Sequence, residues 1–329
     1  MNNSADHKML DLMVRPALLL INNKIEHANP AAQFMLGAHI EGQDIRLALR
    51  HPKVVALVLG NVPGSVKITG LSTAGSLWEV TYHDLDNDRR LITLEDMSVQ
   101  VSIARAHADF VANASHELRT PLASVLGYVE TLKDPKAGED PDTRNRFLDI
   151  IKHEAERMHA LVDDLMSLSR IEAVKHEVPT DIIDMTTICR EVAGEARGLI
   201  HIEGQDEPAT IMGDRSQMAQ VIRNLVDNAV KYGAADSEVL VRIETTSTGW
   251  VTIEIIDKGD GISPEHLPRL TERFYRVDAG RSRKVGGTGL GLSIVKHIVE
   301  RHRGRFDIRS RSGEGTTASI MLPQAKQQS

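Results

Sequence analysis

A repeating pattern of apolar residues between positions 95 and 172 constrains the fold of this chain most strongly. Apolar or small residues recur there at alternating steps of three and four, the spacing of a coiled-coil seam. The first series is Val101, Ala104, Ala108, Val111, Ser115, Leu118, Leu122, Val125, Val129 and Leu132. The second is Phe147, Ile151, Glu154, Met158, Leu161, Leu165 and Leu168. Because Lys133–Pro141 between them contains Pro135 and Gly138, the pattern predicts a helical hairpin over residues 95–176.

Each helix of this predicted hairpin has only a narrow apolar stripe, which a single hairpin cannot bury. Two hairpins paired as a four-helix bundle would bury the stripes of all four helices. We therefore expect the chain to form a homodimer through the hairpin.

Residues 1–94 alternate short strand-like runs with turn signals. The predicted strands are Ala17–Ile21, Lys24–His27, Val66–Ile68, Trp78–Tyr82 and Arg90–Leu94. A helix over Ala31–Leu36 is predicted to begin at Asn29-Pro30. This order predicts a small α+β domain.

Residues 177–325 alternate helices and strands. Asp214 opens a predicted helix, Gln217 stands three residues later at the spacing of a capping box, and Gly233 ends the helix. A second helix is predicted over about Leu290–Arg303, and the predicted strands are Val239–Glu244, Val251–Ile256, Arg305–Ser310 and Thr316–Leu322. The expected architecture is an α/β sandwich, so the whole chain is a multidomain α+β protein.

Composition narrows the setting of the protein. The net charge of −7 gives no reason to expect direct nucleic-acid binding, which usually requires a basic face. Cys189 is the only cysteine, so no disulfide can form within the chain and a reducing compartment fits. The longest apolar run near the start, Pro16–Ile21, is far shorter than the roughly 20 residues that cross a bilayer. This chain is expected to have no membrane span. We expect a cytoplasmic protein, and a membrane anchor outside this sequence is the alternative.

The motif FVANASHELRTPL, residues 110–122, carries the first candidate chemistry. His116 lies just off the apolar seam, so its imidazole is expected to face solvent. Glu117 could accept a hydrogen bond from one ring nitrogen and raise the nucleophilicity of the other. Thr120 lies one turn later on the same face, where its hydroxyl could orient a water, and Pro121 should kink the helix. An isolated surface histidine is the alternative interpretation.

A polar stripe follows on the helix that begins after Asp214. Asn224, Asn228 and Lys231 stand at i, i+4 and i+7, opposite an apolar face. Amide oxygens suit a hard ion such as Mg²⁺, and the lysine could bind the same phosphates as the ion. A solvated helix face is the alternative.

Two glycine-rich segments complete the pattern. In DKGDGI, Asp257 could accept a hydrogen bond from an exocyclic amine, and Gly259 and Gly261 could let a ligand approach the backbone. In GGTGLGL, residues 286–292, free N–H groups at a helix start could bind phosphate. The basic residues before it, expected to form a lid, are Arg269, Arg273, Arg276, Arg281, Arg283 and Lys284. Each segment alone could be a simple turn.

Together these motifs resemble those of the sensor histidine kinases, over residues 95–325. HELRTP resembles the phosphoacceptor box, NLVDNAVKY the N box, DKGDGI the first glycine box, ERFYRVD the F box and GGTGLGL the second glycine box. The N-terminal segment resembles a PAS sensor domain. The segments around His116 and the F box are most similar to those of the phosphate-regulon sensor kinases.

The resemblance implies three domains: a PAS-like sensor domain (1–94), a dimerisation and histidine phosphotransfer hairpin (95–176) and a catalytic ATP-binding domain (177–325). It implies that ATP and Mg²⁺ are used to phosphorylate His116, with Glu117 as acid–base partner. The phosphoryl group would pass to a response regulator receiver domain, and Thr120 would position water for phosphatase activity. A role in phosphate-starvation signalling is a further implication.

The resemblance also assigns roles in nucleotide binding. Asn224 and Asn228 would bind Mg²⁺, and Lys231 and Arg276 would contact phosphates. The residues of the adenine side would be Tyr232, Asp257, Gly261 and Thr316, and those of the lid hinge and phosphate pocket Gly287, Gly289 and Gly291. An ATP-driven conformational switch and a dimeric scaffold are the alternative functions; His116 with its neighbours disfavours the first, and the intact nucleotide motifs disfavour the second.

Overall fold

The computed structural model of the chain describes residues 3–60, 63–73, 75–85, 88–134, 140–174, 177–196, 198–204, 207–234, 237–277 and 287–325. The chain divides into two compact units, Met1–Val111 and Ala112–Ser329. The domain boundaries at 94/95 and 176/177 stay predictions. The sequence-based expectations for Pro135, Gly138, Asp278, Arg281, Arg283, Lys284 and Gly286 lie outside the described residues.

The first unit contains a five-stranded antiparallel sheet in the order β2-β1-β5-β4-β3. Its strands are β1 Ala17–Ile21, β2 Lys24–Ala28, β3 Gly64–Thr69, β4 Leu77–Asp84 and β5 Arg89–Asp96. Its helices are α1 Asn3–Asp11, α2 Pro30–Leu36, α3 Ile45–Ala48 and α4 Pro52–Leu59. Alternation along β4 buries Trp78, Val80 and Tyr82 on one face, against the short helices. The predicted strands and the helix after Asn29 are confirmed.

Asn29 ties the start of this unit together. Its side chain is fully buried, and Oδ1 accepts hydrogen bonds from the N–H groups of Ala17 and Ala32. Nδ2 donates to the carbonyls of Leu10, Met13 and Arg15 at 2.8–3.3 Å. One amide thus caps α2 and fixes the connection from α1 to β1.

The predicted hairpin corresponds to two long helices, α5 Ser98–Leu132 and α6 Pro141–Ala173. Asp140 caps α6 by accepting a hydrogen bond from the Thr143 N–H. Pro121 lies inside α5, which continues past it to Leu132. Apolar seam positions of α5 remain solvent-accessible in one chain, with Val111 50% and Leu122 48% exposed. No helix of the described residues combines the length and the apolar character that crossing a bilayer requires.

The rest of the second unit is layered, as predicted. Its sheet has the order β11-β12-β10-β9-β7, with β7 parallel to β9 and the other pairs antiparallel. The strands are β7 Ile200–Gly204, β9 Val239–Thr246, β10 Trp250–Asp257, β11 Arg305–Arg311 and β12 Gly315–Pro323, and β6 Ile182–Asp184 pairs separately with β8 Thr210–Met212. The helices are α7 Met185–Glu195, α8 Arg215–Tyr232 and α9 Gly291–Arg301. The central helix, α8, packs against β10 and both other helices.

The start of α8 differs from the prediction in one respect. The Asp214 carboxylate accepts hydrogen bonds from the N–H groups of Ser216 and Gln217, which confirms the N-cap. The prediction of a full capping box is wrong, because the Asp214 N–H does not bond to the Gln217 side chain. The Asp214 N–H donates to Nε2 of the buried His302, and the Gln217 amide oxygen accepts from Arg301. Two residues from the end of α9 therefore replace the local reciprocal bond.

Candidate functional site

A cavity of about 430 Å³ lies in the second unit, between α6, α8, the ends of β10 and β12 and the segment before α9. Motifs that are far apart in sequence meet at its walls. The sequence-predicted residues that line it are Asn224, Asn228, Lys231, Tyr232, Asp257, Gly261, Arg276, Gly287, Gly289, Gly291 and Thr316. The N box, both glycine boxes and the F box thus form one site.

The polar stripe of α8 faces this cavity. The opposite face of the helix is buried at Met218, Ile222 and Val226, so amphipathicity fixes which side chains are presented. Asn224 Nδ2 donates to the carbonyl of Gly291 at 3.3 Å, which joins the N box to the second glycine box. The amides and the lysine are therefore held at the mouth of a glycine-rich helix start.

Asp257 ends β10 and is only 8% exposed. Burial raises the pKa of its carboxyl group, and hydrogen bonds from the backbone of Gly259 and Thr316 lower it in part. The Gly259 N–H reaches Oδ1 at 2.8 Å. The carboxylate is thus oriented by the backbone at the cavity wall, where it can accept a hydrogen bond from a ligand.

Gly259 and Gly261 of DKGDGI lie directly against the backbone of this chain. Gly259 does not line the cavity; a Cβ on it would lie 2.1 Å from the carbonyl oxygen of Tyr232. Gly261 does line the cavity and has φ of +67°, but a Cβ there would lie 1.9 Å from the carbonyl oxygen of Arg311. Their small size admits the backbone of this chain. For Gly259, which does not line the cavity, the expectation that it lets a ligand approach is corrected.

The F box and the second glycine box are joined at Gly289. The Phe274 N–H donates to the Gly289 carbonyl at 2.8 Å, and both residues have positive φ, +64° and +75°. A Cβ on Gly289 would lie 2.9 Å from the Cα of Phe274. This close crossing requires glycine, because any side chain would separate the two motifs.

His116 is exposed on α5, as predicted, and lines a second cleft of about 340 Å³. The other lining residues are Asn113, Glu117, Arg269, Glu272, Arg273, Phe274 and Tyr275. The Thr120 hydroxyl donates to the carbonyl of His116 at 3.2 Å. Tyr275 lines both the cleft and the larger cavity, so the histidine and the cavity lie on two sides of the same F-box segment.

The carboxylate of Glu117 contacts two arginines. Arg157 of α6 donates to Oε2 at 2.9 Å, and Arg276 Nη1 lies 3.7 Å from the same oxygen. The expectation that Glu117 accepts a hydrogen bond from His116 is not the arrangement of this structure. Two guanidinium groups provide stronger, charge-assisted partners than an imidazole N–H.

Two polar side chains of α6, Arg157 and Asp164, contribute to these sites and are not among the residues predicted from the sequence. Asp164 lines the cavity, and its Oδ2 accepts a hydrogen bond from the Thr288 hydroxyl at 2.7 Å. Burial raises the pKa of the Asp164 carboxyl group, and the bond from Thr288 opposes this effect. Arg157 lies three positions after Glu154 and Asp164 three positions after Leu161, both members of the second series. A charged residue next to the predicted seam is therefore the sequence signal that could have identified them.

Two family profiles match the chain. Residues 106–174 match the His Kinase A phosphoacceptor domain. Residues 213–326 match the ATPase domain described as histidine kinase-, DNA gyrase B- and HSP90-like. The first range contains His116, and the second contains the residues that line the cavity apart from those of α6.

Curated relatives agree with these matches. The phosphate regulon sensor protein PhoR of Pseudomonas aeruginosa is 38% identical over 237 residues, 70% of this chain and 53% of the relative. The sensor protein kinase WalK of Staphylococcus aureus is 37% identical over 239 residues, 71% of this chain and 57% of the relative. The chain thus spans about half the length of these relatives. The predicted likeness to the phosphate-regulon kinases is confirmed, and WalK matches to a similar degree.

Solved structures share the fold. Acinetobacter baumannii histidine kinase AdeS aligns with a TM-score of 0.50 at 24% identity, over 64% of this chain and 98% of that chain. Histidine kinase ThkA, solved in complex with a response regulator protein, aligns with a TM-score of 0.56 at 18% identity, over 98% of this chain and 99% of that chain. Both the phosphoacceptor domain and the ATPase domain match within this chain, and the sensor kinases PhoR and WalK are 37–38% identical to it. The chain therefore belongs to the sensor histidine kinases of two-component systems.

Proposed function

We propose that the chain is an ATP-dependent protein-histidine kinase, which phosphorylates His116 and passes the phosphoryl group to an aspartate of a response regulator. One observation carries the proposal. An exposed histidine on α5 and a cavity lined by four nucleotide-box motifs flank the same F-box segment. In this proposal an acceptor and a phosphate-binding site belong to one compact unit.

The cavity suits ATP in size and chemistry. Its volume of about 430 Å³ lies within the range of roughly 300–1,000 Å³ that is usual for ligand sites. Asp257 offers a buried acceptor for the adenine amine, beside Tyr232, Gly261 and Thr316. Lys231 and Arg276 offer positive charge to the phosphates, and Gly287, Gly289 and Gly291 offer backbone N–H groups and room.

Mg²⁺ fits the amide pair of α8. Asn224 and Asn228 lie one turn apart on the cavity face, and neutral amide oxygens suit an ion whose other ligands are phosphates and water. In this proposal the two amides hold the ion, and Lys231 adds charge at the end of the same stripe.

The chain's own residues account for the rest of the reaction. When bound, ATP supplies the phosphoryl group. His116 offers a ring nitrogen as nucleophile, and Glu117, once released from Arg157, would hold the proton of the other ring nitrogen. The protein contributes chiefly by positioning these groups and by placing Lys231 and Arg276 where negative charge develops.

Thr120 is proposed to act in the reverse process, removal of phosphate from the partner. Its exposed hydroxyl lies one turn from His116 on the surface to which the aspartyl phosphate would dock. The hydroxyl uses its proton on the His116 carbonyl and so keeps its lone pairs for a water molecule.

Residues 1–94 are proposed to form a PAS-like sensor domain, and the hairpin to form a homodimer. The antiparallel sheet with short helices on its buried face supports the first assignment. The exposed seam positions of α5 support the second, since pairing would bury them. The response regulator partner is supported by ThkA, which was solved with one. Phosphate-starvation signalling is the signalling role that the PhoR likeness favours.

Labelling with γ-labelled ATP tests the proposal. His116→Gln should abolish labelling and transfer to receiver domains while leaving ATP affinity nearly unchanged, because the nucleophile lies outside the cavity. His107→Gln, an exposed histidine on the same helix, should label like the wild type. ATP hydrolysis without any phosphoprotein would favour a conformational switch, and absence of ATP binding would favour a scaffold.

A further inference from the structure

Helix α6 contributes to the wall of the cavity. Ala160 and Asp164, one turn apart, line it together with the residues of the ATPase domain. Asp164 is thus a carboxylate, supplied by the phosphoacceptor hairpin, that faces the space proposed for a nucleotide.

The partners of this carboxylate are groups that would serve phosphate. The Thr288 hydroxyl, in the second glycine box, donates to Asp164 Oδ2 at 2.7 Å. Lys231 is close enough for its charge to stabilise the ionised carboxylate. A phosphate oxygen would accept a hydrogen bond from the same hydroxyl and would be stabilised by the same lysine charge, so the Asp164 carboxylate resembles a phosphate in its interactions.

Other contacts between α6 and the ATPase domain lie outside the cavity. Ser167 Oγ donates to Gln220 Oε1 at 2.9 Å, and Glu172 is paired with Arg273. None of these four residues lines the cavity. A nucleotide in the cavity would not touch these contacts directly, so the direct conflict is confined to Asp164.

We propose that Asp164 is an autoinhibitory residue: it occupies the phosphate-binding groups of the nucleotide cavity when the ATPase domain is docked on α6, so that docking and triphosphate binding oppose each other. The inference rests on the proposed function, that the cavity holds ATP. The Asp164 carboxylate and a triphosphate are both negatively charged. In a partly desolvated site at close range, their repulsion is several times stronger than it would be in water. Since the opposition is thermodynamic, it is reciprocal, and a triphosphate must weaken docking as much as docking weakens its affinity.

Nucleotide titrations of the full chain test the first half. Affinities are measured by calorimetry in the presence of Mg²⁺ for a non-hydrolysable ATP analogue, for ADP and for adenosine. The effect of Asp164→Asn on affinity should grow with the negative charge of the ligand. We expect about fivefold tighter binding of the analogue, near the lower end of usual coupling factors, less for ADP and no change for adenosine. Asp163→Asn is the matched control, because Asp163 is 68% exposed and paired with His159, and it should bind like the wild type.

Asp164→Ser serves as a second variant, and thermal melting shows that each variant is folded. Unchanged or weaker binding of the analogue by both folded variants would overturn the inference while leaving the proposed function intact. An equal gain for adenosine would also overturn it, since the effect would then not depend on phosphate charge. A wild-type chain that binds no nucleotide would overturn the proposed function, and the inference with it.

Cross-linking tests the reciprocal half. Cysteines placed by Ser167→Cys and Gln220→Cys report docking through a short bismaleimide, because the native side chains are hydrogen-bonded there. The native Cys189 should not interfere: it is buried, and burial raises the pKa of its thiol to about 12. The ATP analogue should slow cross-linking, and Asp164→Asn should abolish this slowing. Equal slowing with and without Asp164 would contradict the inference.

Discussion

Replacing Asp257 by asparagine changes one oxygen of the cavity to an amide nitrogen and keeps the size of the side chain. In the wild type, Oδ1 accepts the Gly259 N–H at 2.8 Å, so the variant must keep its amide oxygen there and present NH₂ to the cavity. A donor would then face the amine of adenine, where an acceptor is needed.

The expected loss follows from the burial of the site. Asp257 is 8% exposed, so neither the amide NH₂ of the variant nor the adenine amine could hydrogen-bond to bulk water instead. Loss of a hydrogen bond to a charged group costs about 1.5–3 kcal/mol, which corresponds to roughly 10- to 150-fold weaker ATP binding. Because burial raises the pKa of Asp257, the wild type should also lose ATP affinity as the pH falls toward that pKa. The variant should lack this component of the pH dependence.

Calorimetric titration with ATP and with purine riboside triphosphate separates this contact from general damage. The second ligand lacks the exocyclic amine, so we expect Asp257→Asn to weaken ATP binding and to leave the affinity for the analogue nearly unchanged. Asp307→Asn, on β11 with a side chain 61% exposed, is the control and should bind both ligands like the wild type. Equal affinity of wild type and Asp257→Asn for ATP would refute the reasoning, as would an equal loss for both ligands.

Three further predictions concern other parts of the chain. Thr120→Ala should keep autophosphorylation and lose phosphatase activity toward the loaded partner, whereas Thr131→Ala, which removes the same kind of hydroxyl bond from α5, should retain both. Burial lowers the pKa of His302 below its ordinary 6.5, so the unfolded chain binds more protons than the folded chain at acidic pH. Thermal stability should therefore fall as the pH drops below about 6.5, and His302→Gln should flatten this dependence. Asn29→Ala should destabilise the first unit by about 3 kcal/mol or more, since it leaves several buried backbone groups without partners.

Each has a specific measurement. Decay of the phosphorylated partner in the presence of kinase and ADP reports Thr120, and decay at the wild-type rate would reduce Thr120 to a helix surface residue. Melting curves between pH 5.5 and pH 7.5 report His302, and parallel pH profiles would contradict its role. Urea unfolding followed by Trp78 fluorescence in a Trp250→Phe background reports Asn29, because Trp78 belongs to the first unit and Trp250 to the second; an unchanged midpoint would count against the network.

Local sequence signals were sufficient for most elements of the fold. Strand β1 was predicted at its observed bounds, because Ala17–Ile21 is a continuous apolar run between turn signals. The cap at Asp214 was predicted because an N-cap depends only on the next three residues. The reciprocal bond of the capping box was predicted wrongly, because its two groups bond instead to His302 and Arg301, which only the folded chain brings to this helix start.

The same distinction applies to the site. Spacing along one helix predicted that Asn224, Asn228 and Lys231 share a face, and the cavity confirms it. Arg157 and Asp164 were missed, because their partners are 40 and 124 residues away in sequence. Gly259 was assigned to a ligand because its conformational freedom is visible in sequence, whereas the Tyr232 carbonyl that it accommodates is not.

The central claim, that His116 accepts the phosphoryl group of ATP, is tested most directly on the wild-type chain. The purified protein is incubated with Mg²⁺ and γ-labelled ATP, divided between acid and alkali, and the alkali-treated sample is digested for peptide mapping. We predict label that is lost in acid, retained in alkali and located on the peptide that contains His116. Acid-stable label on a serine or threonine, or label on a different histidine, would contradict the account.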